Sequence, residues 1–91
     1  MKLSIIIPCF NEAQTIEEIV NRIKKTCKYN HEIIIVDDCS TDGTKEILEK
    51  KITSNVELVI FNKKNFGKGY SLRLGIEKAN GDMIIIQDAD L

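Results

Sequence analysis

A chain of 91 residues, 43% apolar and 30% charged, describes a single globular domain with a modest core. Its formal net charge of −1 argues against a general nucleic-acid or anionic-membrane binder. Cys9, Cys27 and Cys39 form no C-x-x-C pair and His31 is the only histidine, which leaves zinc without a ligand set and points to reduced, cytosolic thiols.

The apolar, β-branched run Leu3–Ile7, closed by Pro8, reads as a fully buried strand and is too short for a signal segment or a membrane span. Asn11 is placed to cap a helix, with Gln14 as its capping-box partner. That helix carries Ile16, Ile19, Val20, Ile23 and Cys27 on one face at helical period. After a turn at Tyr29–His31, Glu32–Asp37 predicts a second buried strand. Asp38–Gly43 predicts a polar loop, and Thr44–Lys51 a helix with Ile47 and Leu48 inward. Val56–Asn62 predicts a third strand and Asn62–Gly67 a loop. Lys68–Asn80 predicts a helix with Leu72, Ile76 and Ala79 on one face, ended by Gly81. Met83–Gln87 predicts the fourth strand.

Alternating strands and helices with continuous apolar strands imply an α/β fold: a Rossmann-like parallel sheet with helices on both faces and right-handed crossovers. The expected strand order, 3-2-1-4, puts a topological switch point between strands one and four, and ligands bind beyond the carboxyl ends of strands at such a point. Polar residues follow all four strands: Pro8–Glu12, Asp37–Asp42, Asn62–Gly69, and Asp88 with Asp90.

Asp88 and Asp90, at the mouth of Met83–Gln87, could face one divalent cation and hold it against a diphosphate. The alternative is a capping or solvated turn. Asp37 can accept a nucleobase N–H or contact a ribose hydroxyl; capping of the next helix is the competing role and suits Thr41 and Asp42. Asn11 and Glu12 equally suit a helix cap and the helix dipole. Asn65-Phe66-Gly67-Lys68-Gly69 matches neither common phosphate fingerprint, yet offers free N–H groups and Lys68 to an anion; a flexible loop-to-helix turn explains the same residues. The lysines at 24, 25, 28, 50 and 51 read as solvated helix faces, and the cysteines and His31 as packing or surface residues.

Taken together, Ile5–Glu12, Ile35–Thr44, Asn65–Gly69, Ala79–Asp82 and Asp88–Leu91 resemble the nucleotide-sugar-binding half of a family 2 glycosyltransferase of the GT-A type, over essentially the whole chain. The resemblance implies that Pro8, Phe10 and Glu12 line a nucleoside pocket, with Phe10 where the family often has tyrosine. It also implies that Asp37 binds the base, that Lys68 lies in the same cleft, that Asp88 lies by the ribose and diphosphate, and that Asp90 is the principal ligand of Mg²⁺ or Mn²⁺ in the D-x-D motif. The Asp-Ala-Asp-Leu segment looks most like enzymes that glycosylate polyprenyl phosphates in cell-envelope glycan synthesis; related polysaccharide enzymes share it. The implied parent is an inverting transferase that uses a UDP- or GDP-linked sugar, with uracil favoured, and a polyprenyl phosphate or glycan acceptor at the cytoplasmic membrane face. Residues 1–91 would be its N-terminal part, interrupted after the D-x-D motif, inactive alone and without a catalytic base. A non-catalytic nucleotide-binding module is the alternative. A phosphoreceiver domain fits poorly, since Pro8-Cys9 and Asn62-Lys63 stand where its acids belong. A bare fourth strand would invite self-association.

Overall fold

The computed structural model describes residues 1–90; Leu91, the last residue of the Asp-Ala-Asp-Leu segment, lies outside the described residues. The elements run β1 (Leu3–Cys9), α1 (Ile16–Thr26), β2 (His31–Asp37), α2 (Thr44–Ile47), β3 (Leu58–Phe61), α3 (Lys68–Lys78) and β4 (Met83–Ile86). All pairings are parallel and the strand order is β3-β2-β1-β4, as the continuous apolar runs predict.

Strand pleating divides the core in two. Ile5, Ile7, Cys9, Ile33 and Ile35 face α1 and the α2 segment, packing with Ile16, Ile19, Val20, Leu48 and Ile52. Ile6, Ile34 and Val36 face α3, where Leu72, Leu74 and Ala79 cover them. Each fully buried isoleucine contributes about 1.5–3 kcal/mol, so the paired runs of β1 and β2 dominate the stability of the sheet. The chain winds from β1 to β3 over one face and returns with α3 over the other, as right-handed crossovers require.

Four local expectations need correction. Asn11 caps no helix: its φ is 55°, and α1 starts at Ile16 behind Thr15. The second helix departs from α geometry after Ile47 and continues as a π-helical turn over Leu48–Ile52, closed by the Thr53 N–H to the Leu48 carbonyl at 2.9 Å. In α3 the buried positions are Ser71 and Gly75, while Ile76 is 42% exposed. The helix seats close to the sheet through small residues: a Cβ on Gly75 would stand 2.6 Å from Cγ2 of Ile6. Gly81 is not a left-handed cap either, because α3 ends in extended backbone at Ala79.

Gly81 is needed for proximity. Its N–H donates to the Ser4 hydroxyl (2.7 Å), which donates to Glu32 (2.5 Å); the same Glu32 oxygen accepts the Asn80 N–H (2.6 Å). Burial opposes ionisation of Glu32, but the Ser4 hydroxyl, the Asn80 N–H, nearby Lys2 and the Gly81 N–H outweigh it and hold the carboxyl below its usual range. This buried network ties the α3–β4 turn to β1 and β2 at the end of the sheet away from the polar loops. Beyond it, β4 is a sheet edge whose four residues are each 38–50% exposed.

A Cβ at position 81 would stand 2.5 Å from Ser4 Oγ and 2.8 Å from both the Lys2 carbonyl and the Ser4 nitrogen. Two of these neighbours are backbone atoms and cannot swing aside. Gly81→Ala is therefore expected to lower unfolding stability by about 1–3 kcal/mol, read from urea denaturation; an unchanged midpoint would contradict this packing.

Candidate functional site

The polar loops at the carboxyl ends of the strands are joined before any ligand enters. The Asn11 N–H donates to the Ser40 hydroxyl (2.9 Å), and the Asn11 side-chain oxygen accepts the Thr41 N–H (2.7 Å). The Glu12 N–H donates to the Thr44 hydroxyl (3.0 Å) and the Ala13 N–H to Asp42 (3.3 Å). Side chains after β2 thus satisfy backbone donors after β1. Asn11 and Cys39, at φ 55° and 64°, take left-handed backbone where the two loops turn.

The pleat sends Asp37 and Asp38 to opposite faces, and they do different work. Asp37 lies 1% exposed on the α1 side and accepts the Ser40 N–H (3.1 Å) and hydroxyl (2.6 Å). Asp38 lies on the α3 side. It accepts the Asn62 side-chain amide (2.9 Å) and the N–H groups of Phe66 and Gly67 (both 2.8 Å). Burial disfavours its charge, but these three donors prevail and hold the carboxyl below the usual aspartate range. Asp38 therefore fixes the loop that leads into α3 and sets Lys68 on the first turn of that helix.

A cavity of about 360 Å³ opens among these loops. Every strand end contributes to its wall: Pro8 and Cys9 at the end of β1 with Phe10 and Glu12 beyond it; Asp38 after β2; Asn65, Gly67, Lys68 and Ser71 after β3; Asp88, Ala89 and Asp90 after β4. Six of the seven expected site residues meet here. Asp37 is not among the lining residues; its carboxylate accepts the Ser40 N–H and hydroxyl. Asp38, which lies in the Ile35–Thr44 stretch without an assigned role, and Ser71, which no motif marks, line it as well. Continuing the β2 alternation past Val36 would have placed Asp38 on the α3 side, because Val36 faces that helix.

The wall formed by α3 and the segment after β4 carries an ion pair. Lys68 Nζ lies 3.0 Å from Asp88 Oδ1, and both side chains are about 60% exposed. Cys9 lies buried in the floor, where burial and neighbouring Asp37 push its thiol far up, so it stays neutral and packs. Among the described residues no group of three or more potential protein ligands gathers as a metal cage. Asp88 and Asp90 supply exposed, hard carboxylate oxygens. That set fits Mg²⁺ or Mn²⁺ held jointly with a diphosphate, because such ions commonly take one or two carboxylates and complete their shell with phosphate and water.

Comparison with known proteins agrees with this geometry. Residues 4–91 match the family model described as Glycosyl transferase family 2. An undecaprenyl-phosphate 4-deoxy-4-formamido-L-arabinose transferase of Pseudomonas fluorescens is 40% identical over 95 residues, covering 98% of this chain and 28% of the relative. A dolichol-phosphate mannosyltransferase of Pyrococcus furiosus is 37% identical, covering 100% of this chain and 26% of the relative. Among solved structures, a Pyrobaculum calidifontis mannosyltransferase in complex with GDP-Man and Mn²⁺ superposes with a TM-score of 0.85 at 30% identity, over 97% of this chain and 27% of that one. S. aureus TarS in complex with UDP superposes with a TM-score of 0.86 at 33% identity, over 99% of this chain and 28% of that one. The chain thus spans roughly a quarter of the length of these relatives, and its sheet is the corresponding part of their GT-A fold.

Asp38 supplies a pH test of the loop. A carboxyl held below its unfolded value stabilises the fold fully above pH of about 4 and loses that contribution as pH falls through the folded value. Asp38→Asn is expected to cost about 1–3 kcal/mol at pH 7, with the gap to wild type narrowing as pH falls below about 4. Thermal unfolding across that range checks it; a gap independent of pH would contradict the ionised clamp.

Proposed function

The chain belongs to glycosyl transferase family 2, and from that premise we propose that it is the donor-binding part of an inverting transferase. It would bind a nucleoside-diphosphate sugar, UDP- or GDP-linked, with a divalent cation, for transfer of the sugar to a polyprenyl phosphate or glycan. The observation that carries this reading is the convergence of all four strand ends on one cavity, with Lys68, Asp88 and Asp90 at its charged wall.

The parts suit the chemistry. Pro8 and Phe10 offer an apolar surface to a base or ribose, and Phe10, 43% exposed, is free to pack on it. Lys68 adds positive charge where the diphosphate would lie. Asp88 and Asp90 would hold Mg²⁺ or Mn²⁺. When bound, that ion supplies Lewis-acid stabilisation of the leaving diphosphate. An acceptor oxygen bonds to the anomeric carbon as the carbon–oxygen bond to the diphosphate breaks, and the electron pair departs with the diphosphate. A phosphate acceptor arrives already ionised and needs no side-chain base; a sugar hydroxyl would need one. The polyprenyl phosphate reading is favoured by the relatives named for undecaprenyl and dolichol phosphates. Such an acceptor would bring the site to the cytoplasmic face of a membrane. No helix among the described residues is long and apolar enough to cross one. A non-catalytic nucleotide-binding role would use the same pocket.

Self-association through β4 has one observation in its favour, a bare apolar edge. Light scattering of the chain at high concentration should report dimers or larger species; a monomer overturns that expectation.

Calorimetric titration with UDP and with GDP, each with and without Mn²⁺, tests the donor site. One nucleotide is expected to bind more tightly with Mn²⁺, with that gain abolished in Asp90→Ala. Lys68→Ala is expected to weaken nucleotide binding about tenfold, the worth of roughly one charge-assisted contact. No binding of either nucleotide to the folded chain would contradict the reading.

A further inference from the structure

The D-x-D segment leaves the sheet early. The Gln87 N–H to the Ile6 carbonyl, at 2.9 Å, is the last backbone bond joining β4 to β1 among the described residues. Asp88, Ala89 and Asp90 continue without a ladder, and both carboxylates project from an exposed turn. Yet Ala89 between them is 3% exposed and packs into the core beside α1. Its carbonyl accepts the Thr15 hydroxyl at 2.6 Å, across 74 residues of sequence.

Thr15 stands at the N-cap of α1, where a threonine oxygen ordinarily accepts an N–H of the first turn. Here it makes no such cap bond. A threonine hydroxyl has one proton. Its second neighbour, the Glu12 carboxylate, is farther away at 3.3 Å, so the proton goes to Ala89. The other contacts of the segment are weaker anchors: Lys68 reaches Asp88 through a solvent-exposed pair, and the Gln87 side chain reaches only the neighbouring Asp88 carbonyl.

We propose that Thr15 is a positioning residue for the metal ligands: by holding the Ala89 carbonyl against α1, it fixes the turn from which Asp88 and Asp90 project together. Thr15 touches neither metal nor nucleotide; it acts through the backbone between the two carboxylates. The inference rests on the donor-site reading above and adds to it a residue at the start of α1. Glu12, on the loop that leads into α1, places the same helix start beside the nucleoside wall, so one turn of chain would serve both halves of the donor.

The test is the ratio of nucleotide dissociation constants without and with Mn²⁺, measured by calorimetry on the 91-residue chain. Thr15→Val keeps the shape and removes the hydroxyl; Thr15→Ser keeps the hydroxyl. The ratio is expected to fall about tenfold in Thr15→Val, the lower end of what loss of an outer-shell partner costs a metal site, and to stay at the wild-type value in Thr15→Ser. Metal-free binding should be unchanged in both. Should Thr15→Val unfold at the assay temperature, Thr15→Ala, which leaves room for a water at the carbonyl, takes its place. A wild-type ratio in the valine or alanine variant overturns the proposal. So does an equal loss with and without Mn²⁺, since that is general damage. Wild-type chain whose nucleotide binding ignores Mn²⁺ overturns the donor-site reading itself, and the inference with it.

Discussion

A parallel strand with neighbours on both edges and helices on both faces cannot slip in register, and β1 is the strand so held. All seven of its residues are buried. β2 lies on one edge and β4 on the other, with α1 and α3 on opposite faces. A one-residue shift would exchange the Ile5–Ile7–Cys9 face for the Ser4–Ile6–Pro8 face and misfit both helices at once. Because the chain leaves β1 for β2 in one direction and reaches β4 from the other, the crossover loops diverge at the end of β1. The cavity occupies that divergence, which is the crevice of a topological switch point.

Three buried carboxylates around the sheet contrast with the exposed pair after β4. Those that are buried are occupied. Asp37 holds Ser40, Asp38 holds the 62–67 loop, and Glu32 holds the α3–β4 turn at the opposite end of the sheet. For Asp38 and Glu32 the donors outweigh the loss of water, as buried charges require. Asp88 and Asp90 remain exposed, with Lys68 in a solvent-exposed pair with Asp88. A weak pair in water is readily exchanged for a stronger ligand. The chain thus keeps its structural acids and its candidate ligand acids apart, although all are the same chemical group.

The sheet was readable from sequence because its signals are long and redundant. Ile5–Ile7 and Ile33–Val36 are too uniformly apolar for anything but a doubly covered strand, and four polar strand ends locate the cavity without any motif. The helices were harder. Asn11 has the chemistry of a cap, but its oxygen serves Thr41 in the neighbouring loop, a partner thirty residues away that local spacing cannot reveal. Ile76 has the period of a core residue, yet α3 seats through Ser71 and Gly75, because close approach to Ile6 and Val36 favours small side chains over large ones. The departure of the α2 segment into a π turn leaves no mark in propensities, which do not separate bonds to the fourth residue from bonds to the fifth. At the site, the residues that face the cavity were legible as a set. Which of the adjacent acids Asp37 and Asp38 lines the cavity was not, since that depends on which face of the pleat each takes. Thr15 gave no signal, because its partner is a carbonyl.

The central claim is that the carboxyl edge of this sheet binds a nucleoside diphosphate and a divalent cation together. Amide NMR spectra of the chain, titrated with UDP or GDP and then with Mn²⁺, address it most directly, since the paramagnetic ion broadens nearby signals. Nucleotide-induced shifts are predicted at residues 9–12 and 65–68, with broadening centred on Asp88–Asp90 that deepens when nucleotide is present. Broadening spread over other surface carboxylates such as Glu17, Glu18 and Glu49, and unaffected by nucleotide, would contradict it.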